Sequence, residues 1–210
     1  MGDRASEQNL LQICKGYLKQ KYAKPGNVFL GVVSRLDTQT SGVMVFARTS
    51  KGAGRLSAQF RQRQVVKRYL AVVEGHAPES GAWLDHVRKN DAVHCMQVMS
   101  EKNAGAKLAA LSFQRLAKGA RTSLVDVDLQ TGRKHQIRVQ FGSRGHPVLG
   151  DRKYGGTRSF RTGIALHSYL LQLEHPVKKC PLKFCAPPPG NWPFFTEITG
   201  HLASLTSNAE

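Results

Sequence analysis

Val33-Ser34-Arg35-Leu36-Asp37-Thr38-Gln39-Thr40-Ser41-Gly42 is a polar, turn-rich stretch that leads into the apolar run Val43-Met44-Val45-Phe46-Ala47. The length and valine content of that run, bounded by Gly42 and Arg48, predict a buried strand over Val43–Ala47. A polar loop held on a buried strand is a favoured seat for a reactive group. Asp37 is the only acid in it. Taken alone, Asp37 reads first as a turn or capping residue whose carboxylate bonds nearby backbone N–H groups.

Working outward, Leu10, Leu11, Cys14, Tyr17 and Leu18 fall at helical spacing, and Pro25-Gly26 ends that helix. Ala53, Leu56 and Phe60 recur at helical spacing among Lys, Arg and Gln, predicting an amphipathic helix with a basic outer face. Val65 to Glu74 has strand character, with Val65, Lys67, Tyr69, Ala71 and Val73 on one side of the pleat and Gly75 as the stop. Ala109–Leu116 and Ser123–Leu129 read as strands around a Lys118-Gly119 turn, and Ile164–Leu173 as a final strand. Residues 82 to 110 show no clear period. A short helix is expected over His135–Phe141, with Gly142 and Gly145 as candidate caps. On such a helix His135 and Arg138 share a face, while Ile137 and Phe141 look elsewhere. Strands alternating irregularly with short helices indicate a mixed sheet of the α+β class rather than regular βαβ winding.

The chain of 210 residues fits one domain, 1–210. Its 31 Lys and Arg against 14 Asp and Glu leave a formal charge of +17. With 40% hydrophobic residues it is not a disordered basic tail. A folded, strongly basic domain points to nucleic acid, where Lys and Arg release counterions from phosphates. Lys51, Arg55, Arg61, Arg63, Arg133 and Lys134 are candidate phosphate contacts. No stretch approaches membrane-spanning length, and Met1-Gly2-Asp3-Arg4 opens on no apolar leader. The cysteines Cys14, Cys95, Cys180 and Cys185 are too sparse for a disulfide framework, which fits a reducing cytoplasm. Cys180, Cys185 and His175 lack zinc-site spacing and a fourth ligand, so no metal is expected.

Two further segments carry chemistry. In Val66-Lys67-Arg68-Tyr69-Leu70-Ala71-Val72-Val73-Glu74-Gly75 a tyrosine sits mid-strand, where an aromatic ring by itself is usually core. Thr131-Gly132-Arg133-Lys134-His135-Gln136-Ile137-Arg138 follows a strand and opens a helix, a place equally suited to a solvated phosphate-binding turn. Together the segments resemble the RluA-type pseudouridine synthases. The likeness rests on Arg35-Leu36-Asp37 with Thr40-Ser41-Gly42, then Lys67-x-Tyr69 with Ala71, Val73 and Gly75, then Thr131-Gly132-Arg133-x-His135-Gln136-Ile137-Arg138. Gly145-His146-Pro147-Val148-Leu149-Gly150-Asp151, Tyr154, Leu166-His167 and His175-Pro176 continue it, so order and spacing agree from about Gly31 to Phe184.

The resemblance implies a mixed, mostly antiparallel sheet with flanking helices and a central active-site cleft. It implies isomerisation of uridine to pseudouridine in structured RNA, ribosomal or transfer, by a cofactor-free monomer. Asp37 is then the catalytic aspartate, Tyr69 the tyrosine that stacks on the uracil, and Arg138 the arginine paired with the aspartate. Arg35 helps fill the gap left by a flipped nucleotide, Ile137 walls the pocket, and Arg133, His135 and Gln136 belong to the RNA-binding surface. Relatives ordinarily open their catalytic domain on an apolar strand with a Lys-Pro-x-Gly segment, before the region that aligns with Gly2-Asp3-Arg4. That strand is expected to be missing here, which keeps a catalytically impaired RNA-binding protein in play. A metal-independent glycosidase usually uses a pair of acids, and no second acid lies near Asp37 in the sequence.

Overall fold

Leu70, Ala71, Val72 and Val73 have no exposed surface, and they mark the centre of the sheet. In the computed structural model, which describes residues 9–161 and 163–207, they lie in β4 (Val66–Glu74). β4 pairs antiparallel with β8 (Thr122–Asp128) on one side and β9 (Leu166–Glu174) on the other. Beyond β8 come β7 (Lys107–Lys118), β5 (Ser80–Asn90) and β6 (Cys95–Met99), and beyond β9 comes β10 (Pro181–Cys185). A two-residue strand β2 (Ser41–Gly42) adds the parallel pairing, to His167–Ser168 of β9. The sheet is therefore mixed and mostly antiparallel.

The unbroken apolar run in β4 follows from cover on both faces. Ala71 and Val73, with Tyr69 beside them, pack with Ile137 and Phe141 of α3 (Gln136–Gly142). Leu70 and Val72 face the other way, towards Trp192 and Ile198, the latter on α4 (Phe195–Ser207). Phe141 is fully buried, its ring 4.6 Å from Trp83 and 5.1 Å from Phe113, both edge-on. Burying such a side chain stabilises the fold by about 1.5–3 kcal/mol, and here it also seats the helix that carries Arg138. His201 of α4 donates to Asp126 Oδ2 of β8 at 2.8 Å, and that carboxylate also receives Arg68 and the Tyr169 hydroxyl. The cluster ties α4 to the back of the sheet.

α1 (Leu10–Lys21) and α2 (Ser50–Arg61) match the predicted helices. Val43–Ala47 does not form the expected strand. Only Phe46–Ala47 pairs, as β3, with β1 (Gly31–Val32). β9 explains the difference: β4 occupies one edge over Leu166–Gln172 and β10 the other over Leu170–Glu174. Only a short length of free edge remains, where β2 docks and Val43 N–H reaches Ser168 O at 2.8 Å. Val43 and Val45 then leave the sheet and pack beside Leu56 and Leu171. The stretch without a period holds the β5–β6 hairpin, whose residues are mostly half-exposed. The region aligning with Gly2-Asp3-Arg4 lies outside the described residues.

Candidate active site

Asp37 sits on the loop between β1 and β2. The loop closes on itself through Thr40 N–H to Asp37 O at 2.8 Å and is pinned at its far end by β2. Gly42 has φ +121°, and a Cβ there would lie 2.2 Å from Ser168 O, so only glycine lets the loop approach β9 this closely. Ser41 Oγ lies 2.8 Å from His167 Nδ1. His167 Nε2 donates to Ala186 O at 3.0 Å, so Nδ1 accepts from the serine. Burial keeps that imidazole below its usual pKa, consistent with this neutral clamp.

Opposite the loop, the strand-to-helix turn before α3 is held by its own side chains. Thr131 Oγ1 accepts from Ala110 N–H at 2.9 Å and donates to Gln136 Oε1 at 2.6 Å. Gln136 Oε1 also accepts Arg133 N–H, and Gln136 Nε2 donates to Ala110 O. His135 caps the helix in the left-handed conformation, φ 53°, which a bulky residue adopts at a cost of about 1–3 kcal/mol. Arg138, one turn in, is 5% exposed. Its Nη1 donates to Asp37 Oδ2 at 3.1 Å, while Nε and Nη2 fork onto Asp151 at 2.6 and 2.9 Å. Burial works against the guanidinium's charge, but the bonds and charge of Asp151, then of Asp37, outweigh it and hold its pKa above the ordinary value.

Tyr69 forms the floor. The β4–β9 register slips between Arg68 and Tyr69, a bulge of the kind that re-aims a side chain beside a site. Burial raises the Tyr69 phenol's pKa, a bond from Ser168 opposes this, and Asp37 adds to it, so the hydroxyl stays protonated at neutral pH. A pocket of about 100 Å³ lined by Asp37, Tyr69, His135, Ile137 and Arg138 adjoins a cleft of about 780 Å³. Arg35, Asp37, Tyr69 and Arg133 line both, and the cleft adds Lys67 and Lys134. Its size lies within the range of ligand sites, and its walls are basic. A carboxylate faces an aromatic platform inside a cationic rim.

The family model described as RNA pseudouridylate synthase matches residues 7–143. The chain belongs to that family. Ribosomal large subunit pseudouridine synthase D of Xylella fastidiosa is 34% identical over 174 residues, covering 76% of this chain and 51% of that protein. tRNA pseudouridine synthase C of Haemophilus ducreyi is 37% identical over 163 residues, covering 69% and 66%. The chain thus spans about half to two thirds of the length of these curated relatives. Among solved structures, human RNA pseudouridylate synthase domain containing 4 superposes with TM-score 0.73 over 95% of this chain and 85% of that one at 24% identity, which bears on the fold alone. Human RNA pseudouridylate synthase domain containing 1 gives 0.67 at 29% identity, over 81% and 73%.

Within this pseudouridylate synthase fold, residues taken from segments far apart in the chain converge. Asp37, Tyr69, His135, Ile137 and Arg138 meet around one pocket with Arg35 and Arg133 at its rim. Arg35 is exposed, and Arg133 Nε donates to Leu108 O at 2.8 Å. Gln136 lines the pocket but is 3% exposed, and its amide is given to the turn. Ile137 and His135 share the pocket, contrary to the expectation that they face apart, because His135 lies outside the helical spiral. Sequence reading missed Asp151 and Tyr154, although both stand in the motif that carried the resemblance. A second acid does therefore accompany Asp37, through Arg138, but at 1% exposure and fully engaged by the fork it is no glycosidase partner. His175 Nδ1 accepts Val177 and Lys178 N–H in a turn. Among the described residues no group of three or more His, Cys, Asp or Glu is placed to hold a metal.

Proposed function

We propose that the chain isomerises uridine to pseudouridine in RNA, with Asp37 as the catalytic carboxylate. The observation that carries this is that Asp37 accepts a bond from the Arg138 guanidinium and shares with Tyr69 one pocket beside a basic cleft. Breaking the N1–C1′ bond builds positive charge on the sugar, and a carboxylate at that point stabilises it, attacks as nucleophile or takes a sugar proton. Arg138 holds the carboxylate's aim, since its other two donors are fixed on a buried partner. Tyr69 stacks on the detached uracil while it turns. The target nucleotide must be extruded, which costs a few kcal/mol; Arg35 fills the gap and Arg133, Lys134 and Lys67 meet phosphates along the cleft. These groups perform the reaction without a cofactor.

The relatives' names point to ribosomal or transfer RNA as the substrate class. We take the protein to act as a cytoplasmic monomer; no helix among the described residues is long and apolar enough to cross a membrane. Asp37→Asn tests the assignment. Total RNA from a strain lacking the gene, treated with the parent protein, should gain pseudouridine, whereas the Asn variant should bind RNA and give none. Product from the Asn variant would refute the role of Asp37. Binding without product by the parent protein would instead favour an RNA-binding module that has lost turnover.

A further inference from the structure

We propose that His135 is a catalytic hydrogen-bond donor, its Nε2–H meeting the negative charge that uracil acquires as it leaves the sugar. The inference rests on the isomerase reading. When the N1–C1′ bond breaks, its electron pair stays with the base and spreads onto the two carbonyl oxygens, while C1′ is left electron-poor. Asp37 answers the sugar. Something of the opposite character must answer the base.

Arg138 is spent: all three of its bonding nitrogens are engaged on Asp151 and Asp37. His135 is not. Its Nδ1 lies 2.7 Å from Tyr154 Oη, and that oxygen accepts Met96 N–H at 3.0 Å. Tyr154 therefore has its single proton to give, and among the described residues Nδ1 is the acceptor placed to take it. This network assigns the imidazole proton to Nε2. That nitrogen faces the pocket, 3.8 Å from Asp37 Oδ1, beyond hydrogen-bond reach. The groups around the ring are Asp37 from the loop, Lys134 and Arg138 from the α3 segment, and Lys153 and Tyr154 from the turn after Asp151. Burial lowers the imidazole's pKa, Asp37 opposes this, and the three cations add to the lowering. The ring is thus a neutral donor, suited to stabilise a forming anion while keeping its proton. The left-handed backbone at His135, held by the Thr131–Gln136–Arg133 bonds, is what turns the ring out of the helix and into the pocket. No proton is transferred by His135: C5 later bonds to C1′, loses its hydrogen to solvent, and N1 regains one.

The test uses single turnover on a transcript spanning the uridine mapped with the parent protein, made with either uridine or 5-fluorouridine. Fluorine withdraws electrons and makes the base a better leaving group, so a donor to that base should matter less. His135→Ala should slow loss of the uridine substrate by about 10²–10³-fold, with the loss at least roughly tenfold smaller on 5-fluorouridine. His135→Gln, which returns an N–H near the Nε2 position, should recover roughly tenfold or more. Equal fractional loss on both substrates, or an Ala variant within roughly threefold of the parent, would overturn the proposal. The uridine to 5-fluorouridine ratio is taken within each protein, so impaired folding cancels from it. Failure of the parent protein to convert the transcript's uridine would overturn the isomerase reading first, and this inference with it.

Discussion

Asp151→Asn should destabilise the protein far more than Asp37→Asn, although both carboxylates touch the same arginine. The Arg138 and Asp151 side chains are 6% and 1% exposed, and two of the guanidinium's bonds go to Asp151. Asp37 is 24% exposed and takes the third. Removing one partner of a buried ion pair costs about 3–5 kcal/mol. Since Asp37 still faces Nη1 in the variant, the lower end applies, about 3 kcal/mol. Asparagine keeps the shape and the backbone bonds from Tyr154 and Gly156 to Asp151 O, so the change reads the charge. With a urea m-value of about 2 kcal/mol/M, the unfolding midpoint should fall by about 1.5 M at unchanged m. The partly exposed Asp37 pair should be worth no more than about 1 kcal/mol. An Asp151→Asn midpoint within about 0.5 M of the parent, or an equal loss for Asp37→Asn, would refute the claim that Asp151 balances the arginine and leaves Asp37 free for chemistry.

Lys67 should make stability depend on alkaline pH in a defined direction. Burial lowers its pKa from 10.5 to about 8, with Asp128 opposing and Arg63 and Arg133 adding. Between those values the unfolded chain holds more protons than the folded one, so this residue's penalty is full below about pH 8 and fades as pH rises towards 10.5. Urea unfolding should therefore show Lys67→Met gaining on the parent by about 1–3 kcal/mol more at pH 7 than at pH 10; a difference that does not move with pH would mean the amine is solvated. Gly42→Ala should cost more than about 1 kcal/mol and lower turnover by more than roughly tenfold, because the added Cβ would collide with Ser168 O and lift the end of the Asp37 loop. Unchanged turnover would show that the β2–β9 contact does not place Asp37.

The β4 strand, the two helices α1 and α2, and the α3 turn were legible because their signals are local. An apolar run, a helical period, or a glycine before a helix acts within a few residues. The β5–β6 hairpin was not legible, because apolar residues fall on both faces of β5: Trp83 is half-buried while the neighbouring Leu84 is 69% exposed. Nor was the shortness of β3, because whether an apolar run pairs depends on whether a partner edge is free, and β9 has almost none left.

At the site, the sequence by itself determined which residue types were present and in what order: Asp37, Tyr69, His135 and Arg138, with Asp151 and Tyr154 standing unassigned in the same pattern. Only the tertiary structure decided how they divide the work. Arg138 bonds an acid 101 residues away and another 13 residues away. The second is buried and takes two of the arginine's bonds, while the first lies on a loop facing the cleft and takes one. Burial and the third dimension set that difference. The same holds for His135, whose ring meets the Tyr154 hydroxyl that a backbone N–H from β6 also reaches, an arrangement made by the fold of the sheet. A hydrogen-bond network has a direction only when all its members are in place.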